Sequence, residues 1–195
     1  VIKNQEGPGD KDKLLDKPEG VAVDGDGSIL VANTGKDQVL KFGPQGSLLA
    51  VFDGRTPLVP DNRGGDRGKG GGKNDDEKGK SEEISFHKPT GLALDEAAKV
   101  YVADRNNNRI VILSSTGTVL RSLGRTNPQG GFIPGKGPGE FNKPTGVAIS
   151  SSRIAVADRN NGRVQIFDRD FVFIRQIRLD EAAPGGIPYG EEDEE

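Results

Sequence analysis

The chain has 195 residues, of which 27 are Lys or Arg and 30 are Asp or Glu, so its formal net charge is −3 at pH 7. This balance excludes a strong global attraction to nucleic acid or to an anionic membrane surface. The chain has no cysteine, which excludes a disulfide framework and a thiol nucleophile. No apolar run approaches the ~20 residues that cross a bilayer, so the sequence predicts a soluble protein without a transmembrane segment.

The first 14 residues form a polar N-terminal segment that supplies no repeat, and only Val1 and Ile2 in it are suited to extend the edge of a sheet. A chain that begins with Val1 instead of Met is compatible with a processed organellar or exported protein, and equally with a truncated one. The sequence leaves the compartment undetermined.

One pattern then occurs three times, in residues 15–54, 86–124 and 141–177. Near its start each copy has a proline and, two residues later, a glycine. The proline fixes its own φ angle, and the glycine permits an otherwise strained backbone just before an apolar run. A polar turn, a second run, an Asn- and Asp-rich loop, a third run, another turn and a fourth run follow. The last turn holds Gly46, Gly117 or Asp170. Runs of this length favour strands over helices.

The later strands of each copy can be given bounds. The second strands cover 29–32, 100–103 and 154–157, the third 39–42, 110–113 and 164–167, and the fourth 48–52, 119–123 and 171–177. Their Val, Ile, Leu and Ala show little alternation, as expected for strands buried on both faces. Radial stacking of four-stranded sheets covers both faces. The sequence therefore predicts an all-β fold, a β-propeller of four-stranded antiparallel blades.

Three blades are visible, and three are too few to close a ring, since propellers have ~4 to 8 blades. The two terminal sheets would expose apolar faces that need a cover. We expect the ring to be incomplete in this chain. Further parts of the same polypeptide, a second copy giving three plus three blades, or another protein would complete it.

Two insertions and a tail accompany the repeats. Residues 55–85 are neutral overall and poor in hydrophobic residues, which is typical of a disordered segment unless a partner orders it. Residues 125–140 are rich in Gly and Pro and predict an irregular loop. The tail, 178–195, ends in five acidic residues and is interpreted as a solvated terminus, although acidic tails also serve as interaction segments.

The motifs Pro-Thr-Gly-Leu-Ala-Leu-Asp (89–95) and Val-Tyr-Val-Ala-Asp-Arg-Asn-Asn-Asn-Arg-Ile-Val-Ile (100–112) resemble the NHL repeat. The likeness is specific in the second and third copies. The first copy has Asn33 at the Asp position and Gln38 at the Arg position, so its loop contacts are expected to differ. The resemblance implies a propeller, commonly six-bladed, that acts most often as a binding platform and in some relatives as an RNA-binding or lyase domain.

In a propeller, the segment leading into the first strand and the loop between the second and third strands share one end. Both insertions and a group of basic residues fall at this end, which is the candidate binding face. Its members are Lys17, Lys88, Lys143, Arg105, Arg109, Arg159, Arg163 and the sole histidine, His87. A structural role is the alternative for Arg109 and Arg163, because an Asp precedes each by five residues and this spacing recurs with the blade.

The sequence predicts no catalytic, metal or cofactor site. His87 alone cannot build the multi-histidine metal site of a lyase-type relative, and no Ser or Cys constellation accompanies it. Residues 24–28 begin like a calcium loop, but the acid required at the twelfth position would fall on Gly35. We therefore interpret residues 24–28 as a hairpin turn.

These patterns favour a non-catalytic protein-binding scaffold, or a subunit of a larger assembly, that uses the propeller loops and insertions as its contact surface. RNA binding through the basic end is the alternative. It requires exposed aromatic rings, whereas the nearby Phe86 and Phe141 are expected to pack between blades. A metal-dependent lyase or hydrolase is the third hypothesis.

Overall fold

The computed structural model describes residues 14–57 and 83–178, which form three four-stranded antiparallel sheets and two short ribbons. We name the four-stranded sheets blades 1, 2 and 3. Blade 1 contains β1 (Pro18–Val23), β2 (Ile29–Asn33), β3 (Gln38–Phe42) and β4 (Leu48–Phe52), and the ribbon after it contains β5 (Thr56–Pro57) and β6 (Glu83–Ile84). Blade 2 contains β7 (Pro89–Leu94), β8 (Val100–Asp104), β9 (Arg109–Leu113) and β10 (Val119–Leu123), and its ribbon contains β11 (Arg125–Thr126) and β12 (Phe132–Ile133). Blade 3 contains β13 (Pro144–Ile149), β14 (Ile154–Asp158), β15 (Arg163–Phe167) and β16 (Phe173–Arg178).

The first strands β1, β7 and β13 lie next to one another, so the blades are arranged radially, as predicted for a propeller. Their backbones approach closely. A Cβ atom at Gly20 would collide with the Thr90 carbonyl group, and one at Gly91 would lie 2.6 Å from the Thr145 carbonyl oxygen. Gly20 and Gly91 therefore allow neighbouring blades to meet.

Two apolar cores hold the blades together. The core between blades 1 and 2 includes Leu30, Val39, Phe52, Phe86, Val102 and Leu113. The core between blades 2 and 3 includes Tyr101, Ile110, Phe141, Val156 and Phe167. Each large aliphatic or aromatic side chain buried here contributes about 1.5–3 kcal/mol relative to an exposed one. Phe86 and Phe141 thus pack between blades, as expected.

Blade 2 differs from the two end blades in its burial. Every residue of β8 and β9 is buried, because blade 2 has a neighbour on each face, and this confirms the predicted two-sided burial. Blades 1 and 3 each have one such neighbour among the described residues. Val21 and Val23 of blade 1 are 66% exposed and Ile177 of blade 3 is 49% exposed. Sequence pattern alone does not separate the middle blade from the end blades.

A single turn of 3₁₀ helix connects the second strand to the third in every blade, a feature that the sequence interpretation described only as a loop. These turns cover Thr34–Lys36, Arg105–Asn107 and Arg159–Asn161. Each ends at a residue in the left-handed backbone region, namely Asp37 (φ 55°), Asn108 (φ 54°) and Gly162 (φ 60°). Asn, Asp and Gly are the residues that tolerate this conformation best, which explains the composition of the loop.

The turn before β16 corrects the predicted start of the fourth strand. β16 begins at Phe173, because Phe171 and Val172 belong to the turn. Asp170 lies in this turn, as predicted, and Phe171 has the left-handed backbone (φ 64°) that Gly46 and Gly117 have in the other blades. An aromatic residue is costly in this region. The Phe171 ring stacks on Tyr101 at 6.2 Å between centroids, and that packing offsets the cost.

Two further loops test the turn predictions. Residues 24–28 form the predicted hairpin turn, in which Asp24 N–H donates to the Ser28 carbonyl at 2.8 Å. Hydrogen bonding from Ser28 lowers the pKa of the Asp26 carboxyl in this turn. Residues 125–140 are not wholly irregular, because β11 and β12 pair around a turn that Asn127 closes through its side chain.

Several predictions lie outside the described residues: the polar segment up to residue 13, the interior of the first insertion at 58–82, and the acidic tail from residue 179. Within the described ranges, no helix is long and apolar enough to span a bilayer.

Candidate binding surface at the loop end

We call the end of the propeller formed by the 3₁₀ turns and the segments leading into the first strands the loop end. In blade 2 it is organised by Asp104, which is completely buried. Its carboxylate accepts hydrogen bonds from His87 N–H at 2.8 Å, Asn107 Nδ2 at 2.8 Å and Arg109 Nε at 2.6 Å. Burial raises the pKa of the Asp104 carboxyl, and the Arg109 guanidinium acts in the opposite direction.

Blade 3 repeats this arrangement around Asp158, which is also completely buried. The donors are Asn142 N–H at 2.7 Å, Asn161 Nδ2 at 2.8 Å and Arg163 Nε at 2.8 Å. The recurrence of the same bonds shows that the Asp and Arg positions of the repeat shape its loop.

Arg109 and Arg163 extend from these carboxylates to the insertions. Arg109 Nη2 donates to the carbonyls of Gly54 at 3.3 Å and Ile84 at 3.1 Å. Arg163 Nη2 donates to the carbonyls of Gly137 at 2.8 Å and Glu140 at 3.0 Å. Both residues are buried, which confirms the structural interpretation of their spacing. The assignment of Arg109 and Arg163 to an exposed binding face is therefore corrected: their guanidinium groups bind the chain itself.

Blade 1 keeps part of this hydrogen-bond arrangement, but with neutral side chains in place of the ion pair. Asn33 Oδ1 accepts Asp16 N–H at 2.6 Å, which corresponds to the bond that Asp104 accepts from His87. Asn33 Nδ2 lies 3.3 Å from Gln38 Oε1, so an amide pair replaces the ion pair. Blade 1 thus differs from the other blades, as expected, in lacking the buried ion pair. It retains the hydrogen bond from the segment that leads into its first strand.

Lys88 and Lys143, two of the three lysines that precede the prolines, link adjacent blades. Lys17, Lys88 and Lys143 all have left-handed backbones. Lys88 N–H donates to Asp37 Oδ1 at 2.7 Å, and Lys143 N–H donates to Asn108 Oδ1 at 3.0 Å. Their backbone role explains the repeated position, and a charge on the side chain is not needed for it.

The side chains of these lysines have different surroundings. Lys88 Nζ lies 3.6 Å from Asp37 Oδ1 and donates to the Thr34 carbonyl at 3.3 Å. Lys17 and Lys143 are exposed, and among the described residues neither forms an ion pair. Of the three lysines in the candidate face, two therefore present unpaired charges.

The remaining members of the candidate face also differ in whether they are paired or exposed. Arg105 Nη1 lies 3.4 Å from Glu19 Oε2 across the joint between blades 1 and 2. Arg159 occupies the same position in blade 3, is exposed, and has no ion pair within the described part of the chain. His87 is exposed, and its Nε2 lies 3.3 Å from Asn106 Nδ2. We call Lys143 and Arg159, both at the loop end of blade 3, the basic patch.

A groove of about 350 Å³ lies beside the basic patch, and no sequence pattern indicated it. Glu140 in its wall accepts Gly137 N–H at 2.9 Å and lies 3.9 Å from Arg125 Nε. The groove is lined by Arg125, Pro134, Gly135, Lys136, Gly137, Glu140 and Asn142. Asn142, which lines the groove, directly precedes Lys143 of the basic patch in the chain. In the described ranges no three His, Asp or Glu side chains are grouped as a metal would require.

Comparison with known proteins decides the family. The family model of the NHL repeat matches residues 86–113 and 141–167, which contain most of blades 2 and 3. Residues 86–113 and 141–167 of this chain are NHL repeats. Blade 1 lies outside the matched residues, as expected from its Asn33 and Gln38.

Curated relatives of this NHL-repeat chain are longer than it is. It is 30% identical over 163 residues to NHL repeat-containing protein 3 of Mus musculus, covering 80% of this chain and 40% of that protein. It is 30% identical over 169 residues to peptidyl-glycine alpha-amidating monooxygenase of Mus musculus, covering 83% of this chain and 15% of that protein. The chain thus spans less than half of the curated relatives it matches.

Solved structures show the same fold at low identity. A catalytically inactive virginiamycin B lyase from Staphylococcus aureus with quinupristin matches with a TM-score of 0.53 at 14% identity, covering 87% of this chain and 43% of that one. Kuenenia stuttgartiensis hydrazine synthase matches with a TM-score of 0.54 at 11% identity, covering 85% of this chain and 37% of that one. These matches support the β-propeller fold of the NHL-repeat chain.

Proposed function

We propose that this NHL-repeat chain is a non-catalytic protein-binding module whose contact surface is the basic patch with the adjoining groove. The observation that carries the proposal is a contrast between equivalent residues. Lys88 and Arg105 are held by acidic residues of blade 1, whereas Lys143 and Arg159 form no ion pair among the described residues and are exposed.

In blade 2, neutral residues occupy the two positions from which acidic side chains of blade 1 contact Lys88 and Arg105. Asn108 stands where blade 1 has Asp37, so Lys143 has a neutral acceptor beside it. Thr90 stands where blade 1 has Glu19, so Arg159 lacks the carboxylate that Arg105 contacts. An unpaired guanidinium is suited to a bidentate bond with a carboxylate. A protein segment with Asp or Glu side chains fits this chemistry.

The chain composition supports a binding role over an enzymatic one. It contains one histidine and no cysteine, so it cannot supply a multi-histidine or thiolate metal site by itself. The one histidine, His87, is exposed beside an amide nitrogen of Asn106, and no carboxylate of the described residues bonds its ring. The match to the monooxygenase of Mus musculus covers 15% of that protein, so it gives no support for an enzymatic role of this chain.

Lysine acetylation of the native material tests the proposal without knowledge of the partner. The extent of modification of Lys143 is compared between a native extract and the purified chain. We expect Lys143 to be modified several-fold less in the extract, because the partner covers it. Lys99 is the internal control, since it is exposed in the turn at the opposite end of blade 2. Equal modification of Lys143 in both samples would refute the proposal.

RNA binding is the second candidate, because the exposed cations of the basic patch fit a phosphate as well as a carboxylate. The burial of Phe86 and Phe141 weighs against it, since these rings cannot stack on bases. Fluorescence anisotropy with single-stranded RNA decides the matter. This candidate requires an affinity that falls steeply with salt and is lost in the variants R105E and R159E.

A further inference from the structure

The loop between β14 and β15 contains the only Asn-Gly dipeptide of the chain, Asn161-Gly162. Asparagine is a chemically labile residue, because the backbone nitrogen of the residue that follows it can attack its side-chain amide. Glycine at that position hinders the attack least, since it has no Cβ and its backbone adopts the conformations that ring closure requires. Gly162 is exposed and Asn161 is partly exposed, so water reaches both residues.

The reaction of this dipeptide consumes water and releases ammonia. The Gly162 nitrogen forms a bond to Asn161 Cγ, the bond between Cγ and Nδ2 breaks, and the proton of the Gly162 N–H leaves with the ammonia. Water then opens the cyclic imide at one of its two carbonyl groups. The product has an aspartate or an isoaspartate at position 161, and in either case a carboxylate replaces a neutral amide.

Three hydrogen bonds of the folded chain oppose this reaction. Asn161 Nδ2 donates to the Gly135 carbonyl and to Asp158 Oδ2, both at 2.8 Å. Gly162 N–H donates to the Arg159 carbonyl at 3.1 Å. The attacked amide and the attacking nitrogen are therefore both held by the 3₁₀ turn and its neighbours. Ring closure requires a local opening of this turn.

Blade 2 provides an internal comparison, because it has the same bonds with a different sequence. Asn107 Nδ2 donates to the Ser85 carbonyl and to Asp104 Oδ2, both at 2.8 Å. The next backbone N–H, that of Asn108, also bonds within its turn, at 3.2 Å. Asn107 and Asn161 thus have matching contacts but different following residues. The Asn108 side chain hinders the attack on Asn107, whereas Asn161 is followed by glycine.

A carboxylate at position 161 would meet acceptors where the amide now donates. The Asp158 carboxylate is completely buried and would repel a second negative charge at hydrogen-bond distance. The Gly135 carbonyl would lose its donor, although the Gly135 N–H would keep its bond to the Phe141 carbonyl at 3.0 Å. Gly135 lines the groove, so the modification would loosen one wall of the groove from blade 3.

We propose that Asn161 is a deamidation site of this chain, and that its conversion to a carboxylate releases the Gly135 wall of the groove from blade 3. The reaction proceeds from the open form of the turn, so the stability of the loop end of blade 3 sets its rate in the folded chain. Contacts among the described residues carry the inference, and it does not depend on the proposed function.

Prolonged incubation at neutral pH and physiological temperature, followed by peptide mapping with mass spectrometry, tests the modification. Trypsin yields the matched peptides 160–163 and 106–109. In the folded chain we expect Asn161 to convert several-fold faster than Asn107, and several-fold slower than in urea-unfolded chain. The variant G162N, which copies the blade 2 sequence, should lower the rate to that of Asn107. Equal conversion of both asparagines, no conversion of Asn161, or equal rates in folded and unfolded chain would overturn the proposal.

Limited digestion with trypsin tests the structural consequence, because Lys136 is exposed directly after Gly135. N161D reproduces the charge of the product, and we expect cleavage after Lys136 to become several-fold faster. N160D is the matched control, since Asn160 is exposed and its only side-chain bond among the described residues is a 3.4 Å contact to an amide; its cleavage rate should remain that of wild type. N161A removes the donor without adding a charge and should have a smaller effect in the same direction. A wild-type rate in N161D would refute the release of the groove wall, and if N161D does not fold, a wild-type rate in N161A would refute it.

Discussion

Asn108 Oδ1 accepts the backbone N–H of Lys143 at 3.0 Å, and this bond joins the loop ends of blades 2 and 3. Asn108 also has a left-handed backbone with φ of 54°, so one residue provides both the turn conformation and the bond between blades. The other two blades have Asp37 and Gly162 at this position, which suggests a graded series of substitutions.

Substitutions at Asn108 should separate the backbone effect from the hydrogen bond. N108G keeps the left-handed conformation and loses the acceptor, so we expect a loss of about 0.5–1.5 kcal/mol in the free energy of unfolding. N108A adds the strain of a Cβ in this region and should lose about 1–2 kcal/mol more. N108D, which copies Asp37, should be close to wild type. Urea denaturation measures all three, and equal stability of N108G and wild type would contradict the role of the bond.

Single and double substitutions of the buried pair Asp104 and Arg109 should have unequal effects on the free energy of unfolding. D104N alone leaves the Arg109 charge buried without its carboxylate and should cost about 3–5 kcal/mol. D104N/R109Q reproduces the amide pair of Asn33 and Gln38 found in blade 1 and should recover at least half of that loss. The two single variants and the double variant form a cycle whose coupling energy is read from chemical denaturation. Additive losses would show that the pair acts as two independent residues.

Two glycines of the repeat should differ in their tolerance of a methyl group. G91A places a Cβ 2.6 Å from the Thr145 carbonyl oxygen, and such overpacking should cost about 1–3 kcal/mol. G146A meets only an ordinary contact at 3.5 Å, so it should cost less than about 0.5 kcal/mol. Thermal unfolding compares the two variants. A large loss in G146A would mean that Gly146 has a packing role like that of Gly91.

Tyr101 should titrate above the ordinary range of a phenol. Burial raises the pKa of the Tyr101 hydroxyl, and the charge of Asp95, whose Oδ2 lies 3.1 Å from it, raises the pKa further. Because the folded pKa is raised, the stability that this neutral hydroxyl contributes is complete below the unfolded value of about 10 and is lost as the pH rises through the folded pKa. Phenolate absorbance of the Y189F variant reports Tyr101 alone, since the chain has two tyrosines. D95N should lower the observed pKa, and an unshifted pKa in Y189F would contradict the geometry.

The sequence predicted the blades well because their determinants are local. Proline, glycine and the polar turns fix where each strand begins, and most strands agree with their predicted bounds within one residue. Phe171 is the exception, because its turn conformation depends on packing against Tyr101, which is distant in sequence. A local pattern holds no information about such a contact.

The candidate surface was predicted less completely. The repeat spacing indicated that Arg109 and Arg163 had a structural alternative, yet their bonds to Ile84 and Glu140 depend on how the insertions fold back. The pairing of Arg105 with Glu19 joins residues 86 positions apart and decides which arginine is available. Charge and spacing predicted that these cations share the loop end, and only the three-dimensional arrangement separated the cations that bind the chain itself from those that are exposed.

The bonds of Arg109 to Gly54 and Ile84 have a consequence for variation in length. The guanidinium and the pairing of Thr56 with Ile84 hold the two ends of the first insertion together. Once its ends are fixed, doubling the length of a loop costs only about 0.6 kcal/mol. The joint between blades 1 and 2 is therefore a permissive place for evolution, or for an engineer, to exchange one peptide for another of different length without disturbing either blade.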